Sequence, residues 1–248
     1  MIIYLDGDFS LMAKAKLSVE EKKELARKHI MDASIELFYE KGYNQTTTRD
    51  IIAKAGILNG SLYNRFRNKD EILASLVKEA IKDILEAASK VFEKERNLLL
   101  AASFPGAMQI YLASKSPRIA DLLYTVHTMW PAVENYVELN SEWSDRYLSE
   151  YGIQDFDEEG IRMCMISLIG SVGNQVGYYA HGGTTSFEDA LRHHIFLIAA
   201  TLGLPLINIG ELIDKLTKIL EESELCFMGH RLAEEIPELS KGSGKSHN

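Results

Sequence analysis

The sequence is poor in the residues that cross-link a chain or bend it sharply. Its 248 residues include only 2 cysteines, 5 prolines and 17 glycines. Cys164 and Cys226 are too few for a disulfide framework, and neither stands in a spacing typical of a structural zinc site. We therefore expect a reducing compartment, the cytoplasm, and no bound metal. So few prolines and glycines argue against an all-β chain with many tight turns and favour helices.

The sequence also has no hydrophobic run long enough to span a bilayer. The longest run, residues 195–207, contains 13 residues and is interrupted by Pro205, whereas a membrane helix needs about 20. Residues 1–11 carry two aspartates and no basic residue, which is unlike a secretory signal. A polar arm that starts at Met12 follows them. We therefore expect residues 1–11 to be a dispensable extension and the protein to have no membrane partner.

Positive charge is scarce overall but unevenly distributed. The formal net charge is −9, which by itself argues against nucleic acid as a partner. Residues 1–78 carry 13 Lys and Arg against 11 Asp and Glu, whereas residues 79–248 carry 14 against 25. Random variation of surface charge would explain this difference, and so would a chain of which only the first part faces a polyanion.

Helical periodicity is the dominant pattern that the sequence does contain. Ser18 and Glu21 have the spacing of a capping box, and an apolar stripe follows them as far as Gly42, which should end the first helix. Asn68 can cap a long helix that runs to about Glu95. Further helices are predicted over residues 98–112, 117–130, 131–151, 158–180, 187–202 and 208–227.

Between the first and the long helix lie two short ones. Thr47 caps the second helix and Gly56 ends it, and only two residues separate it from a third helix that contains Leu62 and Phe66. Two short helices joined by a tight glycine turn form a helix-turn-helix. We predict an all-α protein in four parts: an arm (1–19), a helix-turn-helix domain (20–67), a helical ligand-binding and dimerisation domain (68–229) and a flexible tail (230–248).

A set of residues at fixed spacing identifies the head more closely. The segments are ASIELFYEKGY (33–43), TTTRDI (46–51), AGI (55–57), GSLY (60–63) and KDEIL (69–73), with Phe66 between the last two. In this pattern the chain resembles the DNA-binding domain of the TetR family of bacterial transcriptional regulators, over roughly residues 22–75. The resemblance implies a homodimer with two helix-turn-helix heads on double-stranded DNA, and helical bodies that bind a small effector.

The second helix of a helix-turn-helix enters the major groove, which admits one α-helix. Asn64 can pair with adenine and Arg65 with guanine or phosphate, and a helix amino terminus that carries Thr47 and Thr48 suits a phosphate. The resemblance adds phosphate contacts for Tyr63 and Lys69. The predicted DNA-binding residues are Thr47, Thr48, Arg49, Asn59, Gly60, Ser61, Tyr63, Asn64, Arg65 and Lys69. Leu58 stands where the family usually has Ser, so the cap of this helix comes from Asn59 or from nothing.

The middle of the chain is rich in aromatic residues and methionine, which suit either a packed core or an apolar ligand pocket. Because the family binds small ligands, we predict a pocket for an apolar or aromatic molecule. Its predicted residues are Met108, Tyr111, His127, Trp130, Trp143, Asn174 and Tyr178.

A stripe of small residues on the predicted helix 158–180 would let another helix approach closely. The partner helix belongs either to the same chain or, as the resemblance implies, to a second copy across a four-helix bundle. The predicted dimer-interface residues are Ile166, Gly170, Gly173, Gly177, Leu191, Ile195 and Ile198.

Enzymatic function has little support in the sequence. GxSxG, GxGxxG, Walker and HExxH patterns are all missing, so we predict neither catalytic residues nor a cofactor. The function predicted is a ligand-responsive regulator, most simply a repressor, released from its operator by an apolar or aromatic molecule. The alternative is a helical small-molecule-binding or enzymatic module whose head no longer binds DNA. The hydroxyl and basic residues of the head favour the regulator.

Overall fold

The computed structural model describes residues 18–153, 156–222, 226–227 and 230–231, and it confirms the all-α fold class. Within these ranges the chain forms ten helices and one pair of two-residue strands. The helices are α1 (Val19–Lys41), α2 (Thr48–Ala55), α3 (Asn59–Tyr63), α4 (Lys69–Glu95), α5 (Leu98–Lys115), α6 (Pro117–Thr128), α7 (Trp130–Glu150), α8 (Glu158–Ala180), α9 (Phe187–Leu202) and α10 (Ile209–Glu222).

The carboxy-terminal end differs from the prediction of a helix over 208–227. α10 ends at Glu222, and β1 (Cys226–Phe227) pairs antiparallel with β2 (His230–Arg231). The apolar face of α10 that packs on α5 and α9 has Leu220 as its last buried residue. In the sequence, Ser and Glu at positions 223 and 224 interrupt the apolar stripe after Leu220. Residues 1–17 of the predicted arm and most of the predicted tail lie outside the described residues.

The head consists of α1, α2, α3 and the first turns of α4. Phe38 of α1, Ile51 of α2, Leu62 of α3 and Ile72 of α4 are each 0–1% exposed and form its core. α4 then leaves the head and packs on α5 and α7. One continuous helix therefore joins the head to the body.

The body is built around α5, which is buried on nearly every side. α8 and α9 pack on one flank of α5, α4 and α6 also contact it, and α10 closes the end. Among the described helices, none has both the length and the hydrophobicity that crossing a bilayer requires.

The small-residue stripe of α8 faces partly into its own chain, contrary to the prediction of a dimer contact. A Cβ built on Gly173 would lie 2.9 Å from the Cβ and Cγ atoms of His127, and one built on Gly177 would lie 2.7 Å from the Tyr124 ring. Both glycines are buried against α6, so the missing side chains make room for α6 of the same protomer. Gly170 is exposed and has no atom within 4 Å of such a Cβ.

The predicted interface residues of α9 are also inside the protomer. Leu191, Ile195 and Ile198 are at most 4% exposed, because they form the face of α9 that packs on α5. Ile166 is half-buried against the same core. These four residues therefore stabilise the body and leave other positions of α8 and α9 facing outward.

The two glycine environments predict opposite responses to a methyl group. Gly177→Ala should lower the free energy of unfolding by about 1–3 kcal/mol, since the added Cβ overpacks against Tyr124. Gly170→Ala should keep or raise the stability of the protomer by up to about 1 kcal/mol, because Ala is the better helix former and no atom of the same chain lies within 4 Å of the added Cβ. Urea denaturation of both variants measures the difference, and equal stabilities would show that α6 does not approach α8 as closely as described.

Candidate nucleic-acid interface and ligand cavity

The turn between α2 and α3 is set by local sequence. The Thr47 hydroxyl accepts from the Asp50 backbone N–H while the Asp50 carboxylate accepts from Thr47, which completes a capping box at the start of α2. Gly56 ends α2 with φ of 64°, a left-handed conformation that glycine adopts at no steric cost. α3 then packs through Leu62, which is fully buried. The amino end of α2 and the outer face of α3 are thereby held together.

The predicted DNA-binding residues divide by exposure. Six are exposed and four are half-buried. The exposed ones are Thr47, Arg49, Asn59, Gly60, Tyr63 and Asn64, and the half-buried ones are Thr48, Ser61, Arg65 and Lys69. The hydroxyls of Thr48 and Tyr63 lie 3.3 Å apart, which links α2 to α3. Asn64 stands just beyond the last residue of α3 as its cap.

Lys69 is held at the joint between the head loop and α4. Its Nζ donates to the carbonyl oxygens of Tyr43 (2.6 Å) and Thr46 (3.0 Å) and lies 4.0 Å from the centroid of the Tyr43 ring. Tyr43 in turn donates its hydroxyl to Asp70. Burial lowers the pKa of Lys69, and the neighbouring Asp70 opposes that shift. The ammonium group therefore braces the loop, a role that the resemblance did not indicate.

Arg65 is likewise engaged within the head. Its Nη1 donates to the carbonyl of Ser61 at 2.7 Å and its Nε to the carbonyl of Lys23 at 3.1 Å. Contact with guanine or phosphate would require at least part of this bonding to be released. Arg49, in contrast, makes no salt bridge with any described residue.

Leu58 is a surface feature that sequence reasoning treated only as a missing cap. The structure makes it the residue that precedes α3, and it forms no side-chain cap bond. Its side chain is 80% exposed at the amino end of α3. An apolar group there matches the C5-methyl of thymine, the one apolar feature of the major groove.

A cavity of about 50 Å³ lies in the body where α5 to α9 converge. Most of its lining is apolar, and the polar side chains on its wall come from five residues. These are Gln109, His127, Asn140, Ser144 and His194. The aromatic side chains of Tyr136 and Trp143 complete the wall.

Gln109 organises one side of this cavity. Its Nε2 donates to the carbonyl of Pro105 (3.2 Å), and its Oε1 lies 2.8 Å from His127 Nε2 and 3.2 Å from the Tyr136 hydroxyl. The rings of His127 and Tyr136 stack with their centroids 5.2 Å apart. One buried amide thus connects α5, α6 and α7.

His194 organises the opposite side. Its Nε2 lies 3.1 Å from the carbonyl oxygen of Ser103, and its ring fills the space above Gly106, where a Cβ would come within 2.3 Å of it. Burial lowers the pKa of both His127 and His194 to about 4. Both imidazoles are therefore neutral at neutral pH.

The structure brings two of the seven predicted ligand residues, His127 and Trp143, to this cavity and directs the others elsewhere. Met108 and Tyr111 are buried on other faces of α5, where Tyr111 packs on Phe187. The remaining three are exposed: Trp130, Asn174 and Tyr178. Aromatic enrichment signals a core or a pocket but not which face of a helix meets it. Gln109, Tyr136, Asn140 and His194 were missed for that reason.

Comparison with known proteins agrees with the geometry of the head. Residues 30–76 match the model of the bacterial regulatory proteins of the tetR family. The chain is 25% identical over 194 residues to the transcriptional repressor KstR2 of Rhodococcus jostii, covering 72% of this chain and 92% of that protein. It is 40% identical to the fatty acid metabolism regulator of Bacillus subtilis over 57 residues, which cover 23% of this chain and 29% of that protein.

Solved structures extend the likeness to the whole fold. RolR in complex with resorcinol superposes with a TM-score of 0.58 at 16% identity, over 80% of this chain and 96% of RolR. Thermus thermophilus FadR in complex with lauroyl-CoA gives a TM-score of 0.51 at 20% identity, over 81% of this chain and 95% of FadR. Head and body together therefore have the same fold as these two proteins.

The exposed position of Asn64 predicts a base contact. Asn64→Ala should change the preference at one base position, at a cost of about 1–3 kcal/mol there. Tyr63→Phe should lower the affinity for all DNA sequences by the same factor, since a phosphate contact carries no sequence information. Selection from a randomised half-site library measures both, and a uniform loss of affinity for Asn64→Ala would contradict its role as a base reader.

The buried state of His194 predicts a pH dependence of stability. Between pH 6.5 and about 4 the unfolded chain protonates this imidazole and the folded chain does not. The free energy of unfolding therefore falls as the pH decreases through this window, by at most about 1.4 kcal/mol per pH unit for this group. His194→Gln should flatten the measured curve there. Parallel curves for the variant and the wild type would show that His194 is not buried in its neutral form.

Proposed function

The chain belongs to the TetR family of bacterial transcriptional regulators, and from this premise we propose that it is a ligand-responsive repressor. In this proposal a homodimer binds a pseudo-palindromic operator and a small molecule releases it. The observation that carries the proposal is the outer face of the head, where Arg49 in the first turn of α2, Tyr63 at the end of α3 and its cap Asn64 are all exposed. A helix of five residues reads few bases, so specificity requires two heads. Their half-sites would be about 34–36 Å apart, or a multiple of that.

An exposed apolar face on α8 and α9 supports the homodimer. Cys164 Sγ lies 3.8 Å from the carbonyl of Thr201, so the start of α8 adjoins the end of α9 and the two helices run antiparallel. On their outer side Met163 is 52% and Phe196 is 53% exposed, and a Cβ built on Gly170 would meet no atom within 4 Å. We define Met163, Gly170 and Phe196 as the α8–α9 face. A self-complementary contact at a two-fold axis would bury it.

α6 offers a route from the cavity to the head. It carries His127 on the cavity wall, packs along α8 and also contacts α1. A ligand shifts the spacing of the heads only if it binds the splayed state more tightly than the DNA-fitting state. A hundredfold difference would supply about 2.7 kcal/mol, enough to release an operator held with a modest surplus.

The fold neighbours RolR and FadR hold resorcinol and lauroyl-CoA, respectively. We propose a small-molecule effector for this chain as well. With 16% and 20% identity these neighbours are guides to the fold alone, so the chemistry of the effector has to come from the cavity of this chain.

Selection of bound sequences from random double-stranded DNA tests the proposal, with Phe196→Glu as the decisive variant. The wild type should enrich an inverted repeat and sediment as a dimer. Phe196→Glu should give a folded monomer with little operator affinity, because two buried carboxylates would face each other across the axis. Phe196→Leu, which keeps an apolar side chain, should remain a dimer that binds.

Two results would contradict the proposal. If the wild type enriches no sequence at low salt, the head does not serve DNA binding. If Phe196→Glu stays dimeric at micromolar concentration, the dimer forms elsewhere.

A further inference from the structure

The hydrogen-bonding state of the cavity narrows the chemistry of its ligand. Gln109 fixes that state, because the Pro105 carbonyl can only accept a hydrogen bond and so orients the amide Nε2 towards it. The Oε1 atom is therefore the acceptor for both of its other partners. It follows that His127 donates from Nε2 and that Tyr136 donates its hydroxyl hydrogen.

Other donors on the wall are used as well. His194 donates from Nε2 to the Ser103 carbonyl, Trp143 donates from Nε1 to Ser89 Oγ, and Asn140 donates one amide hydrogen to the Tyr136 carbonyl. A neutral imidazole has one N–H, so each histidine keeps one acceptor nitrogen, Nδ1. That of His127 faces α8, since a Cβ built on Gly173 would lie 3.0 Å from it, and it is therefore not among the acceptors open to a ligand. Asn140 keeps its Oδ1. The Ser144 hydroxyl contacts the Met165 sulfur at 3.6 Å, a weak acceptor. Among the described lining residues, this hydroxyl and the second amide hydrogens of Gln109 and Asn140 are the donors left.

Charge is missing from the same wall. None of the described residues that line the cavity is Lys, Arg, Asp or Glu. A carboxylate or phosphate would enter without a cation to pair with and with few donors to solvate it, which is costly in an apolar cavity. A ligand with only acceptor oxygens, such as an ether, would face further acceptors.

We propose that the cavity binds a neutral molecule with an apolar body and at least one O–H group to donate, of the phenol or alcohol class. This inference rests on the proposed function only in taking the cavity as the effector site. At about 50 Å³ the cavity holds a few waters, at about 10–15 Å³ each, so the ligand must enlarge it. His127 cannot retreat towards α8 because Gly173 lies directly behind it, and enlargement therefore displaces α6 or Trp143.

Calorimetric titration of the full chain with phenol, anisole and benzoate at pH 7 tests this proposal. The three probes share one ring and differ in the group attached to it. Phenol should bind at least tenfold more tightly than anisole, and benzoate should bind more weakly than both. Anisole equal to phenol, benzoate tighter than phenol, or no binding of any probe at millimolar concentration would overturn the proposal.

Substitutions in the cavity wall test whether the preference for phenol over anisole arises there. Asn140→Leu removes one acceptor and His194→Phe another, and at least one of them should shrink the phenol-to-anisole ratio several-fold while anisole binds as before. Asn135→Leu is the matched control, since Asn135 lies on the same helix but donates to the Ala74 carbonyl outside the cavity. If neither cavity variant changes the ratio, the acceptors of this wall do not select the ligand.

The two proposals fail separately in these assays. If the protein enriches an operator from random DNA but does not bind phenol, the repressor proposal stands and the proposed ligand class is wrong. If it prefers phenol but enriches no DNA sequence, the ligand class stands and the repressor proposal is wrong.

Discussion

The close approach of α6 to α8 is the constraint on which the body's site depends. Gly173 and Gly177 leave room for the side chains of His127 and Tyr124, so α6 lies directly on the backbone of α8. That position brings His127 within reach of Gln109, and Gln109 in turn holds Tyr136. A larger residue at either glycine would move the helix that carries the histidine, and the wall of the cavity would lose its order.

The elements with strong local signals were predictable from the sequence. α8 and α9 begin and end at the predicted residues because Asp157 and Ser186 cap their starts and glycines follow their ends. The helix-turn-helix followed from the capping box at Thr47 and the left-handed Gly56. Such signals act within a few residues of the chain, so no tertiary information is needed to recognise them.

Features that depend on partners distant in sequence were not predictable. The glycine stripe correctly indicated a close helix contact but could not tell an internal partner from a second copy. Gln109 lies in an apolar helix, and its importance appears only when Pro105, His127 and Tyr136 converge on it. Similarly, nothing in the adjacent pair His193 and His194 says which imidazole enters the core.

The construction of the head bears on how a change in the cavity could reach DNA. Lys69 ties the loop after α1 to the first turn of α4, and Arg65 ties α3 to α1 through the Lys23 carbonyl. These bonds join α1, α3 and α4, and the contact between the Thr48 and Tyr63 hydroxyls links α2 to α3, so a displacement of α1 by α6 would turn the head as a unit. α4 continues into the body and would act as the pivot. In the proposed repressor, a head held together in this way would lose its match to the half-sites without unfolding, as reversible release from an operator requires.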